Sequence, residues 1–159
     1  MRVNLAYEVE IKEMPAVRLA GLAHKGPYPS VGPVFQKLVS LIPEPSWAEV
    51  EHAAMIGHDN PRKVPAEELR SHACFAVGEG FVIFPPLAEI RYPAGKYAVV
   101  TVKGPYEQLP EAYRWLDEDW YPTSGMEHRD LVAYEVYLND PMNTKPEDLL
   151  TEIRLPLQG

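Results

Sequence analysis

Polar and apolar residues alternate over residues 5–13, the two-residue period of a strand with one covered face. Met14-Pro15 predicts a turn, because proline fixes its own φ and biases the residue before it toward extended backbone. Residues 17–24 then predict a second strand, paired with the first as a hairpin. Gly26-Pro27-Tyr28-Pro29 ends that strand, and the period changes: Phe35, Leu38, Val39 and Ile42 fall on one helical stripe over residues 34–42. Pro43-Glu44-Pro45 stops the helix. Further strands are expected over residues 49–57 and 71–77, separated by a turn at Asp59-Asn60-Pro61 and one helical turn at residues 65–69.

The same order of elements then recurs. Residues 87–92 and 96–103 predict a second hairpin, with Tyr97-Ala98-Val99-Val100-Thr101-Val102 rich in strand formers. Over residues 107–120, Leu109, Ala112, Tyr113 and Leu116 repeat the stripe of the first helix, and residues 131–138 and 151–157 predict the last two strands. The letters repeat as well: Lys25-Gly26-Pro27-Tyr28 returns as Lys103-Gly104-Pro105-Tyr106, with Pro15-Ala16 and Pro93-Ala94 at the same interval upstream. Downstream, Asp59-Asn60-Pro61 faces Asn139-Asp140-Pro141. A helix with one apolar stripe needs a sheet to cover. The expected fold is therefore α+β: duplicated ββαββ modules, repeat one at about 5–80 and repeat two at about 85–158. They form one domain over 1–159, with pseudo-two-fold symmetry and antiparallel sheets covered by two helices.

With 46% hydrophobic and 24% charged residues the composition is that of a globular chain, and no apolar run reaches the roughly 20 residues of a membrane span. No secretory signal core follows Met1. Cys74 is the only cysteine, so no internal disulfide can form and a cytoplasmic location is expected. Fifteen basic against 23 acidic side chains leave a net charge of −8, the wrong sign for holding phosphates by counterion release, which argues against direct nucleic-acid binding. The five histidines show no ligand spacing and one cysteine cannot build a zinc site, so neither a metal nor another cofactor is expected.

The candidate chemistry lies in Tyr134-Glu135-Val136-Tyr137, a carboxylate inside an otherwise apolar strand. Alternation places Glu135 on one face with Ala133 and Tyr137. At the equivalent position of the first repeat stands Met55, flanked by Ala53 and Gly57, so one half keeps the position apolar and the other makes it acidic. Burying an unpartnered carboxylate costs several kcal/mol, so the asymmetry fits a pocket with a single charged group. The alternative is a solvated face, or a structural ion pair of Glu135 with Arg129 or Arg154. Tyr113, Trp115, Trp120 and Tyr121 cluster on and after the second helix, and Trp47 precedes the corresponding strand of the first repeat. Aromatic faces around a carboxylate suit a flat apolar or cationic ligand. By its place in the stripe Tyr113 reads as core, whereas Trp115 lies off it.

The duplicated unit, Gly57-His58-Asp59-Asn60-Pro61 followed by Pro65-Ala66-Glu67-Glu68-Leu69-Arg70, and Tyr134-Glu135-Val136-Tyr137-Leu138-Asn139 resemble the GyrI-like small-molecule-binding family. That family includes the DNA gyrase inhibitory protein and the effector-binding domains of Rob-type and BmrR-type activators. The resemblance implies a ligand cleft between two modules, with Glu135 as the acid that receives a cationic aromatic compound. Tyr137, Trp115, Trp120, Tyr113, Trp47 and Met55 would line it. Because the repeat begins almost at Met1, no helix-turn-helix segment is expected, and a protein partner would be gyrase or a separate DNA-binding regulator. Some members are similar in sequence but hydrolyse cyclopropane-bearing genotoxic natural products; in that case Glu135 would activate water and Tyr137 would hydrogen-bond the leaving group.

Overall fold

The computed structural model describes residues 7–159. The predicted start of the first strand, at residues 5 and 6, lies outside them. Eight strands are described: β1 (Val9–Met14), β2 (Val17–Lys25), β3 (Val50–Gly57), β4 (Arg70–Val77), β5 (Ala88–Tyr92), β6 (Gly95–Lys103), β7 (Tyr134–Tyr137) and β8 (Leu150–Pro156). Helix α1 is Gly32–Ser40, and α2 (Leu109–Arg114) runs through a wide π turn at Trp115–Trp120 into α3 (Tyr121–Ser124). The fold is α+β, as expected, and every pairing described below is antiparallel.

The two predicted hairpins do not form. β1 pairs with β6, Met14 opposite Gly95, and β2 pairs with β5, Val17 opposite Tyr92. A two-residue hairpin loop needs positive φ at one or both central residues. Neither Pro15-Ala16 nor Pro93-Ala94 supplies it, since only glycines have positive φ among the described residues. At both Pro-Ala pairs the chain therefore leaves one strand without turning back onto it, and the strands are exchanged. One compact unit consists of the segment ending at Met14 together with Gly95–Gly159, and the other is Pro15–Ala94.

In the Pro15–Ala94 unit the strand order is β3-β4-β2-β5. Helix α1 inserts Leu38 against Leu22, Ala73 and Leu87, and Ile42 and Phe81 pack with Ala20 and Val77. In the other unit the order is β1-β6-β8-β7. There α2 and the π turn place Leu109, Ala112, Trp115 and Leu116 on Val100, Val102 and Ile153. At about 25 cal/mol per Å² of apolar surface removed from water, each fully covered leucine or isoleucine contributes roughly 1.5–3 kcal/mol. These three clusters hold their respective units.

The repeated Lys-Gly-Pro-Tyr letters have a backbone cause. Gly26 and Gly104 adopt φ of 135° and 134°, a conformation that side chains disfavour. Their N–H groups donate to the carbonyls of Leu69 and Leu149 at 2.8 and 2.9 Å. β7 is shorter than the predicted 131–138. Its partner β8 ends at Pro156, which has no N–H to donate to the ladder, while the Pro156 carbonyl takes the Arg129 N–H at 2.9 Å.

Candidate functional site

Register places Glu135 opposite Ile153, Ile153 opposite Val100, and Val100 opposite Val9. Ile153, Val100 and Val9 belong to the cluster under α2, so Glu135 stands on the helix-covered face in line with an apolar row. It is 4% exposed. Two phenols satisfy it: the Tyr113 hydroxyl donates to Oε1 at 2.9 Å and the Tyr137 hydroxyl donates to Oε2 at 2.6 Å. Tyr113 comes from α2, and Tyr137 lies two residues along the same strand, hence on the same face. The Tyr106 ring lies 5.3 Å from that of Tyr137.

Burial dominates the electrostatics. Loss of solvent pushes the Glu135 carboxyl above the ordinary glutamate value, opposed by the hydrogen bonds from Tyr137 and Tyr113, which favour the charged form. The Tyr137 hydroxyl is held well above the usual tyrosine value by burial and by the neighbouring carboxylate, so it remains a donor. Tyr106 shifts upward for the same two reasons, burial first. The site is thus a buried acid with hydrogen-bond donors on both oxygens and, among the described residues, no cation acting on it.

Neither arginine weighed from the sequence takes the ion-pair role. Arg154 lies on the opposite face, where it binds Glu152 at 2.7 Å and the Tyr134 hydroxyl at 3.0 Å. Arg129 sits over the Tyr97 ring and donates to the Lys96 carbonyl at 3.3 Å.

The candidate residues fall into three groups. Tyr113 and Tyr137 meet Glu135 directly. Trp115 and Trp120 line a hollow of about 340 Å³ with Tyr7, Glu8, Val9 and Glu10, and the Tyr7 and Trp115 rings meet edge to face at 5.2 Å. Val9, on the rim of that hollow, is three strands from Glu135, roughly 14 Å at the usual strand spacing of ~4.8 Å. Met55 and Trp47 belong to the Pro15–Ala94 unit, where Met55 is buried opposite Ala73 and Trp47 packs on Phe75 at 5.5 Å. Tyr106 and Tyr7 escaped the sequence reading. Tyr106 closes the repeated Lys-Gly-Pro-Tyr letters, which was the available signal. Among the described residues no group of three or more His, Cys, Asp or Glu is placed to hold a metal ion, and no helix is long and apolar enough to cross a membrane.

Comparison with known proteins bears on the family and the fold. The model of the GyrI-like small molecule binding domain family matches residues 7–158. A DNA gyrase inhibitor of Serratia proteamaculans is 31% identical over 148 residues, covering 83% of this chain and 87% of the relative. The C-terminal domain of EcmrR has the same fold, with a TM-score of 0.76 and 21% identity over 97% of this chain and 99% of that one. In the EcmrR–DNA complex this chain spans 57% of the longer EcmrR chain. The structure of SAV2435 bound to tetraphenylphosphonium matches with a TM-score of 0.65 and 12% identity, covering 96% and 94% of the two chains.

Proposed function

We infer that this chain, which belongs to the GyrI-like small-molecule-binding family, senses or sequesters an amphipathic aromatic cation, and that Glu135 is the group that selects for positive charge. The observation that carries this reading is the burial of Glu135 with two phenols and, among the described residues, no cation. A structural carboxylate at that depth would be expected to face a base, because desolvation costs several kcal/mol per ion. A visiting cation would supply the missing charge, and the rings of Tyr106, Tyr113 and Tyr137 offer faces for cation–π contact. The binding of tetraphenylphosphonium by SAV2435, which shares the fold, supports the ligand class. We read the two units as copies of a duplicated sequence, of which only the one with Glu135 carries the charge. A cytoplasmic location follows from the same reading, since a lone buried thiol suits a reducing compartment.

The test is calorimetry with tetraphenylphosphonium and with a neutral triarylphosphine oxide of similar shape. Glu135→Gln is expected to weaken the cation about tenfold or more, about 1.4 kcal/mol, and to leave the neutral compound nearly unchanged. Equal losses for both would remove Glu135 from charge selection. Incubated separately with the chain, a cyclopropane-bearing alkylator is expected to be recovered intact by mass analysis; a water adduct that disappears in Glu135→Ala would instead make the chain a hydrolase with Glu135 as general base.

The 31% identical relative named a DNA gyrase inhibitor supports a second reading, in which a protein partner such as gyrase is engaged. Inhibition of supercoiling by the purified chain would support it, and unaffected supercoiling at saturating protein would exclude it.

A further inference from the structure

Beyond the ligand reading, and independent of it, the Pro15–Ala94 unit carries a second constellation. Helix α1 covers Leu22 and Ala73, so His72, the neighbour of Ala73 along β4, points to the opposite face of the sheet. Register pairs Ile56 with His72, which brings His58, the residue just past β3, alongside. Nε2 of His58 and Nδ1 of His72 are 2.8 Å apart, with the rings nearly perpendicular at 80°. A contact this short joins one N–H to one lone pair, so the pair accepts one further proton readily but not two. Gly21 makes room: a Cβ there would lie 3.2 Å from Cδ2 of His72 and 3.1 Å from Sγ of Cys74.

The pair borders an open hollow of about 450 Å³ lined by Ala23, His24, Lys25, His58, Arg70, Ser71 and His72. Every ionisable side chain in that lining is basic, on a chain whose net charge is −8. Asp59, next to His58, is engaged by Arg70, whose side chain donates to it at 2.8 and 3.0 Å and whose backbone N–H donates at 2.9 Å. His24 meets the Ser30 hydroxyl at 3.0 Å, and the Tyr28 hydroxyl donates to the Asp59 carbonyl at 2.6 Å. Cys74 is a buried thiol that burial keeps neutral.

We propose that this hollow binds a small oxyanion of the sulfate, phosphate or carboxylate class, and that binding is coupled to uptake of a proton by the His58–His72 pair. Lys25 and Arg70, opposite each other on β2 and β4 and on the face of His72, supply fixed positive charge around the lining. Burial, aided by Arg70 and opposed by Asp59 at His58, and aided by His58 at His72, holds both imidazoles below the ordinary histidine value, so the unliganded pair is mostly neutral near pH 7. An anion opposes those effects and favours the charged pair, whose outer ring nitrogen becomes a donor to it. Affinity therefore rises as pH falls.

Titration calorimetry with sulfate, a dianion across the range used, tests this in buffers of different ionisation heat. Sulfate is expected to bind about tenfold more tightly at about pH 5.5 than at about pH 8, with roughly one proton taken up. His72→Gln should abolish the proton uptake and flatten the pH dependence, and Lys25→Ala should weaken binding at both pH values. If His72→Gln fails to fold, His58→Gln, at a half-buried position outside the strands, carries the same test. Absence of sulfate binding at the lower pH, pH-independent affinity, or proton uptake that survives loss of either imidazole would overturn the proposal. So would zinc binding at the pair that excludes sulfate.

Discussion

The two units place different chemistry at matching positions. Glu135 sits on β7 opposite Ile153, and Met55 sits on β3 opposite Ala73, each buried at about the same depth, 4% and 5% exposed. Above Glu135 the helix offers Tyr113; on α1 the matching residue of the repeat is Phe35, which packs edge to face on Phe75 at 6.5 Å. Two residues along the strand, Tyr137 is matched by Gly57, where a Cβ would lie 3.0 Å from the Tyr28 ring. Tyr28 fills that space and bonds the Asp59 backbone, whereas Tyr106 packs beside Tyr137. A methionine, a phenylalanine and a glycine complete one site, and a carboxylate with two phenols completes the other. On the proposed reading the acid and its donors serve a ligand, and the unit with Glu135 should tolerate the apolar set as well.

The sharpest way to break this comparison is to move the acid alone. Met55→Glu puts a carboxylate where neither phenol waits, and unfolding in urea should show a loss of about 3–5 kcal/mol. A loss of less than about 1 kcal/mol would mean the depth of the site is not what makes a lone charge costly.

The converse rewriting has a smaller effect of opposite sign. Glu135→Met with Tyr113→Phe and Tyr137→Phe removes a buried charge together with its donors, and the triple variant should gain about 1–3 kcal/mol while losing cation binding. Lower stability would show that the polar trio is structural.

Much of the first shell of this site could be read from the sequence, and its limits are physical. Alternation put Tyr137 on the face of Glu135, and the repeat exposed Met55 as its counterpart. The Tyr113 hydroxyl was hidden, because a tyrosine in an apolar stripe looks the same whether its ring alone or also its oxygen is used. Strand type and helix stripes were also legible, as in Tyr97 to Val102. Partner choice was not: β1 and β2 look like a hairpin by proximity, and only the lack of a positive-φ residue at Pro15-Ala16 speaks against it. The His58–His72 contact depends on β3–β4 register and has no spacing rule that would reveal it. Trp115 and Trp120 are candidates by aromatic clustering, and they line a hollow with Tyr7 and Val9 at the β1 edge.

The smallest expected effect sharpens the comparison further. Tyr137→Phe deletes one hydrogen bond that favours the ionised carboxylate, at a cost of about 1 kcal/mol in stability. It should move the Glu135 pKa further upward. The sign of the pH dependence follows: with its folded-state pKa raised, Glu135 lowers stability as pH rises from the unfolded value through the folded one, and this loss is complete above the folded pKa. Cation affinity runs the other way and falls as pH drops through that window, because the protonated acid offers no charge. In Tyr137→Phe the fall should begin at higher pH.

The most direct measurement is carbon NMR of the Glu135 carboxyl in protein labelled at glutamate, titrated with and without tetraphenylphosphonium. The account predicts a carboxyl that titrates above the ordinary glutamate range when free and shifts to the ionised form on addition of the cation at constant pH. A resonance that titrates like a surface glutamate, or one that does not respond to the cation while binding occurs, would contradict it.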